Sequence, residues 1–385
     1  MRIERISVCN TLLPFISEFS ISRHQGFYSN SIVVEVIADH GKIKGYGEGV
    51  PVEFITGETP KSATESIEIF TQKPFFPWEL DNPSQIWNLI DHLPNGKEYN
   101  AAICACEMSL LDALGRKQKK PVIDYFSDKF FAPEVCYGAT IPISNKQRIT
   151  EICTMCREMQ INALRVKMGK DINRNKDAIG TVRSFFEDDC DLRIDSNGSW
   201  DRYLAFRHVP LIKEYNVKIV EEPMHKNDPD FIEFAQTMQA NGITLMACES
   251  APTLNDVKRI IREGYYQMIN VKLSRNGGFR RSLGIIECIR KSGLAFQIGC
   301  TIGESGILSA AGRALSLLCG DALYHDGSYD KFLLKENITK KDVSFGIGGK
   351  AGPLDGPGLG IEIDRKCLMQ LSNGSPSVTI SHPLS

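Results

Sequence analysis

The 385-residue sequence lacks any apolar run approaching the roughly 18 to 20 residues a membrane-crossing helix requires. It also lacks low-complexity tracts and any excess of one charge: 45 basic and 47 acidic residues are well mixed, for a formal net charge of −2. That balance excludes the basic patch that a nucleic-acid or membrane-surface partner favours. Zinc-site spacing is missing too, because Cys153-Thr-Met-Cys156 is followed by no second such pair and no His-x-x-x-His. Both cysteines fall on the apolar stripe Ile149, Ile152, Cys153, Cys156, Met159 and read as buried helical thiols. No Gly-x-Gly-x-x-Gly follows the first strand of the alternating region, which removes the main support for a dinucleotide site. The opening Met1-Arg-Ile-Glu-Arg-Ile6 sets an acid and two arginines where a secretory signal needs an apolar core. A cytoplasmic protein with reduced cysteines is therefore expected.

What is present is a globular composition, 42% hydrophobic and 24% charged, in a chain long enough for two packed units. Ile32 to Ala38 is a β-branched run, Asp39-His-Gly41 a turn, and Lys42 to Glu48 a returning strand. Ala101 to Leu114 carries apolar residues at helical spacing, with Gly115 as its natural stop. These suggest an α+β capping domain over residues 1–130. From there the texture becomes short apolar strands alternating with amphipathic helices. The strand candidates are 136–141, 163–167, 192–195, 217–222, 244–249, 268–273, 296–300 and a weak one at 323–325. About eight such units over residues 131–345 fit a closed (β/α) barrel better than an open doubly wound sheet. The Gly- and Pro-rich stretch after residue 346 is expected to run back, within 346–385, and complete the cap.

Charged residues end five successive strand candidates. Lys167 ends Leu164-Arg-Val-Lys, Asp195 ends Leu192-Arg-Ile-Asp, and Glu221 follows Val217-Lys-Ile-Val. Glu249 follows Leu245-Met-Ala-Cys, and Lys272 lies in Ile269-Asn-Val-Lys-Leu. The intervals of 28, 26, 28 and 23 residues place one charge at the mouth of each strand, the face where such barrels keep their active sites. Singly, each would read as a surface charge; five in this order do not. Three carboxylates gathered there repel unless a cation joins them, and hard oxygen donors suit Mg2+ or Mn2+ rather than zinc. Two lysines flanking the same mouth can serve as bases on whatever the metal holds.

In these motifs the chain resembles the enolase superfamily, within its muconate-lactonising (mandelate racemase-like) branch. The likeness runs through Leu164-Arg-Val-Lys-Met-Gly169, Ile194-Asp-Ser-Asn-Gly-Ser-Trp200, Val220-Glu-Glu-Pro223, Met246-Ala-Cys-Glu-Ser250, Ile269 to Gly278 and the tail Asp355-Gly-Pro-Gly-Leu-Gly360. The resemblance implies a modified TIM barrel, (β/α)7β, with an N-terminal α+β cap that the C-terminal segment completes. It implies one essential Mg2+, Lys167 and Lys272 as acid/base lysines on opposite faces of a small carboxylate substrate, Asp195 and Glu221 as metal ligands, Asn197 nearby, and a homo-oligomer. Two positions depart from the pattern. The family's Lys-x-Lys reads Arg165-Val-Lys167, so Lys167 is expected to be the sole base on its side. Where the family has Asp-Glu, with the Asp as third ligand, this chain has Cys248-Glu249. A thiol is a poor Mg2+ ligand, so Glu249 is the expected third ligand and Cys248 the alternative.

Segments 20–28 and 50–59 mix aromatics with charges and are candidate lids, or simply exposed turns. Arg165, Glu304 and Asp326 are candidate substrate contacts. Dipeptide epimerases of the family carry Asp-x-Asp near Asp326, a pair that His325-Asp-Gly-Ser-Tyr-Asp330 does not reproduce cleanly. The reading is a racemase or epimerase of an amino-acid or dipeptide-like carboxylate. The alternatives are a cycloisomerase or dehydratase with the same site, or a non-catalytic barrel whose metal site is weakened.

Overall fold

The computed structural model describes residues 1–22, 24–127 and 129–383. Strands β1 (Ile3–Ile21), β2 (His24–Ala38) and β3 (Ile43–Gly49) form an antiparallel meander. The barrel strands follow as β4 (Ala139–Ile141), β5 (Ala163–Lys167), β6 (Asp191–Asp195), β7 (Ile219–Glu221), β8 (Thr244–Ala247), β9 (Met268–Lys272), β10 (Ala295–Gly299) and β11 (Tyr324–His325). They pair in parallel in chain order, with helices in between, such as Lys146–Glu158 after β4 and Gly306–Leu318 after β10. Tyr137 bridges His325 in parallel and the Gly138 N–H donates to the His325 carbonyl at 2.8 Å, which closes the cylinder. Strand β12 (Val378–Ser381) pairs antiparallel with β1, so the C-terminal segment finishes the cap sheet in the order β12-β1-β2-β3.

Three apolar-looking gaps in the sequence have a packing cause. Gly45, Gly47 and Gly49 lie at period two on one face of β3, where helix Asn100–Gln118 presses on the strand. A Cβ on Gly47 would overlap the Ala105 carbonyl oxygen. The helix does not stop at Gly115. It runs on to Gln118, where Lys119 turns left-handed, and Gly115 is glycine because a Cβ there would stand 2.7 Å from the Gly358 Cα of the tail. The reading of 20–28 as a loop is corrected as well: most of it is the tip of the β1–β2 hairpin. Cys153 and Cys156 are buried on helix Lys146–Glu158, where burial pushes their thiols up to about 11 and about 12.

Buried carboxylates lock cap to barrel. Glu107 accepts the Phe279 and Arg280 N–H groups, the latter at 2.9 Å, at the first turn of helix Gly278–Ser292. Glu48 does the same at helix Gly306–Leu318, accepting Ser305 and Leu308 N–H groups at 3.0 Å. Amides at a helix start are natural partners for a buried acid, although burial still raises both carboxyls, Glu107 to about 8. Among the described residues no helix is long and apolar enough to cross a membrane.

A Gly47→Ala substitution is expected to cost about 3 kcal/mol, the upper range for overpacking, because the obstacle is helix backbone rather than a movable side chain. Urea unfolding followed by circular dichroism measures it; an unchanged midpoint would contradict the packing described.

Candidate active site

Parallel register assembles the site. Lys167 pairs with Asp195 across β5–β6, and Asp195 with Glu221 across β6–β7, so the three stand in one layer at the strands' C-terminal ends. Cys248 and Glu249 come just after β8, and Lys272 ends β9. In an eight-stranded cylinder β5 and β9 are four strands apart, hence diametrically opposed. Lys167, Lys272, Asn197, Glu249 and Arg275 line one cavity of about 330 Å³.

The cap supplies its roof. Phe15, Phe19, Ile21 and Tyr28 come from the hairpin, and residues 50–56 and 58–60 from the second lid segment. The hairpin tip is tied to the barrel, with Ser22 Oγ donating to the Ser196 carbonyl at 2.7 Å and the Ile143 N–H to the Ser20 carbonyl at 3.1 Å.

The two lysines differ in their surroundings. Lys167 Nζ is 2.5 Å from Asp195 Oδ2 and donates to Asn197 Oδ1 at 3.2 Å. Asn197 holds the left-handed backbone (φ 51°) that asparagine tolerates. Its N–H reaches Asp195 Oδ1 at 2.8 Å and its amide Glu249 Oε1 at 2.8 Å. Among the described residues the Lys272 ammonium has neither hydrogen bond nor ion pair. Burial works against that ammonium, as do Arg275 and Arg165, but Cys248 and Glu221 hold it above its ordinary value. The Cys248 thiol is itself pushed well up by burial and so is uncharged near neutral pH; Glu221 is the partner that counts.

Beneath the lysines lies a network of fixed charges. Arg165 donates to Glu221 Oε2 at 2.9 Å and to Thr140 Oγ1 at 3.1 Å, and its Nε stands 3.4 Å from Asp326 Oδ2. Asn270 donates to Glu221 Oε1 at 2.8 Å. Burial opposes the Glu221 carboxylate, yet Arg165, Lys272, Lys167 and Asn270 outweigh it and hold the group well below the usual range. Asp195 goes the other way: burial and the neighbouring Glu221 raise it to about 6. Asp326 is taken up by Arg193 at 3.0 and 3.2 Å and by Gln297 at 3.0 Å, and it forms no part of either large cavity's wall near the mouth. Glu304 lines the neighbouring cavity instead. Sequence reasoning missed Asn270, Arg193, Gln297, Thr140 and Arg275. Three of these had a signal, since Arg193 and Asn270 stand two residues before Asp195 and Lys272, and Gln297 two before Gly299, on the same inward face.

A family model described as "Enolase C-terminal domain-like" matches residues 148–367. The chain belongs to the enolase C-terminal domain-like family. The hydrophobic dipeptide epimerase of Enterococcus faecalis is 25% identical over 99% of this chain and 100% of its own. The solved N-succinyl Arg/Lys racemase of Bacillus cereus superposes with a TM-score of 0.84 at 22% identity, covering 99% of both chains. A dipeptide epimerase from E. faecalis, solved with Mg and the dipeptide L-Leu-L-Tyr, gives 0.81 at 24% identity over 94% of this chain and 100% of that one. The family model covers most of the barrel, and the superpositions show that barrel and cap together share the fold of these solved enzymes.

The family implies a divalent metal, and the donor set fits one. Asp195 and Glu221 are hard carboxylates on adjacent strands, and Glu249 Oε2 is buried with no hydrogen-bond partner. Cys248, by contrast, lies 2.8 Å from an Arg275 guanidinium nitrogen. Among the described residues no three His, Cys, Asp or Glu side chains already stand at metal-binding spacing. Arg165 and Asn270 engage the two oxygens of Glu221, and Lys167 and the Asn197 N–H those of Asp195.

Arg165→Met would leave Glu221 and Asp326 short of a buried counter-charge. It should lower stability by about 3–5 kcal/mol, with Arg165→Lys recovering part of the loss. Thermal unfolding measures both; a methionine variant as stable as the wild type would contradict the network.

Proposed function

We propose that this family member removes and returns the proton on the carbon next to a carboxylate, racemising or epimerising an amino-acid-derived acid. One observation carries the reading: Lys167 and Lys272 end opposite barrel strands and line the same roofed cavity. Inversion needs a base on one face of the carbon and an acid on the other. In one direction the neutral amine of one lysine takes the α-proton, the electron pair moves into the carboxylate, and the ammonium of the other lysine protonates the opposite face. In the reverse direction the roles exchange. Asp195 and Asn197 hold Lys167 in position, and the hairpin and residues 50–60 keep water from the carbanion. The relatives named as epimerases and racemases support this reaction class.

Mg2+, with Mn2+ also suitable, is the expected cofactor, and Asp195, Glu221 and Glu249 would hold it. When bound it supplies positive charge for the substrate carboxylate and the enolate-like intermediate. Glu249 is favoured over Cys248 by its orphaned oxygen and by hardness. A reducing, cytoplasmic setting, in which buried thiols such as Cys153, Cys156 and Cys248 stay reduced, completes the reading.

Proton NMR in D2O tests the chemistry. Wild-type protein with Mg2+ should wash deuterium into the α-position of N-acyl amino acids or dipeptides with both stereoisomers appearing. Lys167→Met and Lys272→Met should each lower epimerisation by about 10²–10⁴-fold, each sparing exchange on one enantiomer only. Absence of exchange across a broad carboxylate panel would overturn the reading. A product with a new ring or double bond would replace it with cycloisomerisation or dehydration.

Cation binding has its own test. In calorimetric titration Glu249→Gln should weaken Mg2+ binding by about tenfold or more, because a carboxylate ligand is lost, while Cys248→Ala should leave it unchanged. Full affinity in Glu249→Gln, or lost affinity in Cys248→Ala, would contradict the ligand assignment.

A further inference from the structure

Glu222 directly follows Glu221 at the end of β7, yet it lines neither the lysine cavity nor the one beside it. The side chain is buried, and its backbone is left-handed, with φ 38°. A residue with a Cβ holds that conformation only where its surroundings impose it, and such positions gather at functional sites. Here the ties are on both sides of β7. The Glu222 N–H donates to the Met246 carbonyl on β8 at 2.9 Å. The Glu222 carbonyl accepts the Gly198 N–H at 2.6 Å and Ser196 Oγ at 2.9 Å, both from the loop after β6.

The carboxylate completes the arrangement. Its Oε2 accepts the Cys248 N–H at 2.7 Å and the Ser250 N–H at 3.2 Å, and its Oε1 accepts the Ser250 hydroxyl. One carboxyl group thus grips the chain immediately before and immediately after Glu249, whose own side chain lines the lysine cavity. The loop held by the Glu222 carbonyl carries Asn197. The two gripped segments meet in one hydrogen bond, Asn197 Nδ2 to Glu249 Oε1 at 2.8 Å, and Asn197 Oδ1 in turn accepts from Lys167. That bond leaves the other Glu249 oxygen, Oε2, buried without a partner.

The partners of the Glu222 carboxylate are two amides and a hydroxyl, none of them charged. What they require is an oxygen at the right distance. A glutamine would serve: its carbonyl oxygen accepts both N–H groups, and its NH2 donates to a hydroxyl that can rotate to receive it. An aspartate would keep the charge but withdraw both oxygens by about one bond length, beyond hydrogen-bonding reach.

We propose that Glu222 is a positioning residue: by reach rather than by charge, its carboxylate fixes the turn from Cys248 to Ser250 so that Glu249 presents its free oxygen to the cation. This rests on the assignment of Glu249 as third ligand under the proton-transfer reading above.

The test sets reach against charge by calorimetric titration of the full chain with Mg2+. Glu222→Gln should bind within about threefold of wild type. Glu222→Asp should bind on the order of tenfold more weakly, the loss expected when the support of a ligand is removed. Glu222→Asp added to Glu249→Gln should cost nothing beyond Glu249→Gln alone, because the residue acts through a ligand already lost. Wild-type affinity in Glu222→Asp, a loss in Glu222→Gln as large as in Glu222→Asp, or additive losses in the double variant would each overturn the inference while leaving the ligand assignment intact. Full affinity in Glu249→Gln would instead remove the ligand assignment, and the role given to Glu222 with it.

Discussion

Two buried carboxylates on adjacent parallel strands, Asp195 and Glu221, set the terms for the rest of the barrel mouth. Register brings them side by side, and burial alone would drive both toward the neutral acid. Their compensation comes from below and from the side: Arg165 and Asn270 on Glu221, Lys167 on Asp195, and Arg193 on the adjoining Asp326. Because guanidinium groups carry so much of that load, Lys272 is left free to face the cavity. The same arrangement explains why an arginine at position 165 is no simple replacement for lysine. Its planar fork bonds Glu221 and Thr140 while its remaining edge stands against Asp326, a geometry a point charge cannot supply.

The cap follows similar logic with a different source of positive charge. Glu48 and Glu107 are fully buried, and each is satisfied by amides at the start of a barrel helix. Asp112 adds a third tie, accepting the Tyr46 N–H, the Leu359 N–H and Arg116 Nε. These contacts fix the hairpin over the strand ends, so that chemistry and water exclusion are settled by one rigid interface rather than by a free loop. The aromatic roof over the lysines is thus a consequence of how the cap is bolted on.

Much of this was legible in the chain. Short apolar runs ending in Lys167, Asp195, Glu221, Glu249 and Lys272 betrayed the barrel, because only a parallel strand end gives each such charge the same address. The alternation rule reached further than it was used. Arg165, Arg193 and Asn270 stand two residues before Lys167, Asp195 and Lys272, so all three had to point inward. The long strand β1 stayed hidden since its partners lie at both ends of the chain, and pairing with residues 378–381 leaves no local pattern. Gly115 misled because a glycine demanded by a tail packing against a helix looks the same as one that ends it. The partners of Asp326 were also hidden: Arg193, Arg165 and Gln297 reach it from other strands, and no local pattern announces that.

The account stands or falls on whether these side chains enclose one cation with the two lysines on either side of it. Anomalous diffraction from crystals grown with Mn2+ and an N-acyl amino acid addresses this directly. A single anomalous peak within coordination distance of Asp195, Glu221 and Glu249, with Lys167 Nζ and Lys272 Nζ facing opposite sides of the bound α-carbon, is the expected result. No peak in that position at saturating Mn2+, or both lysines on the same side of the ligand, would contradict it.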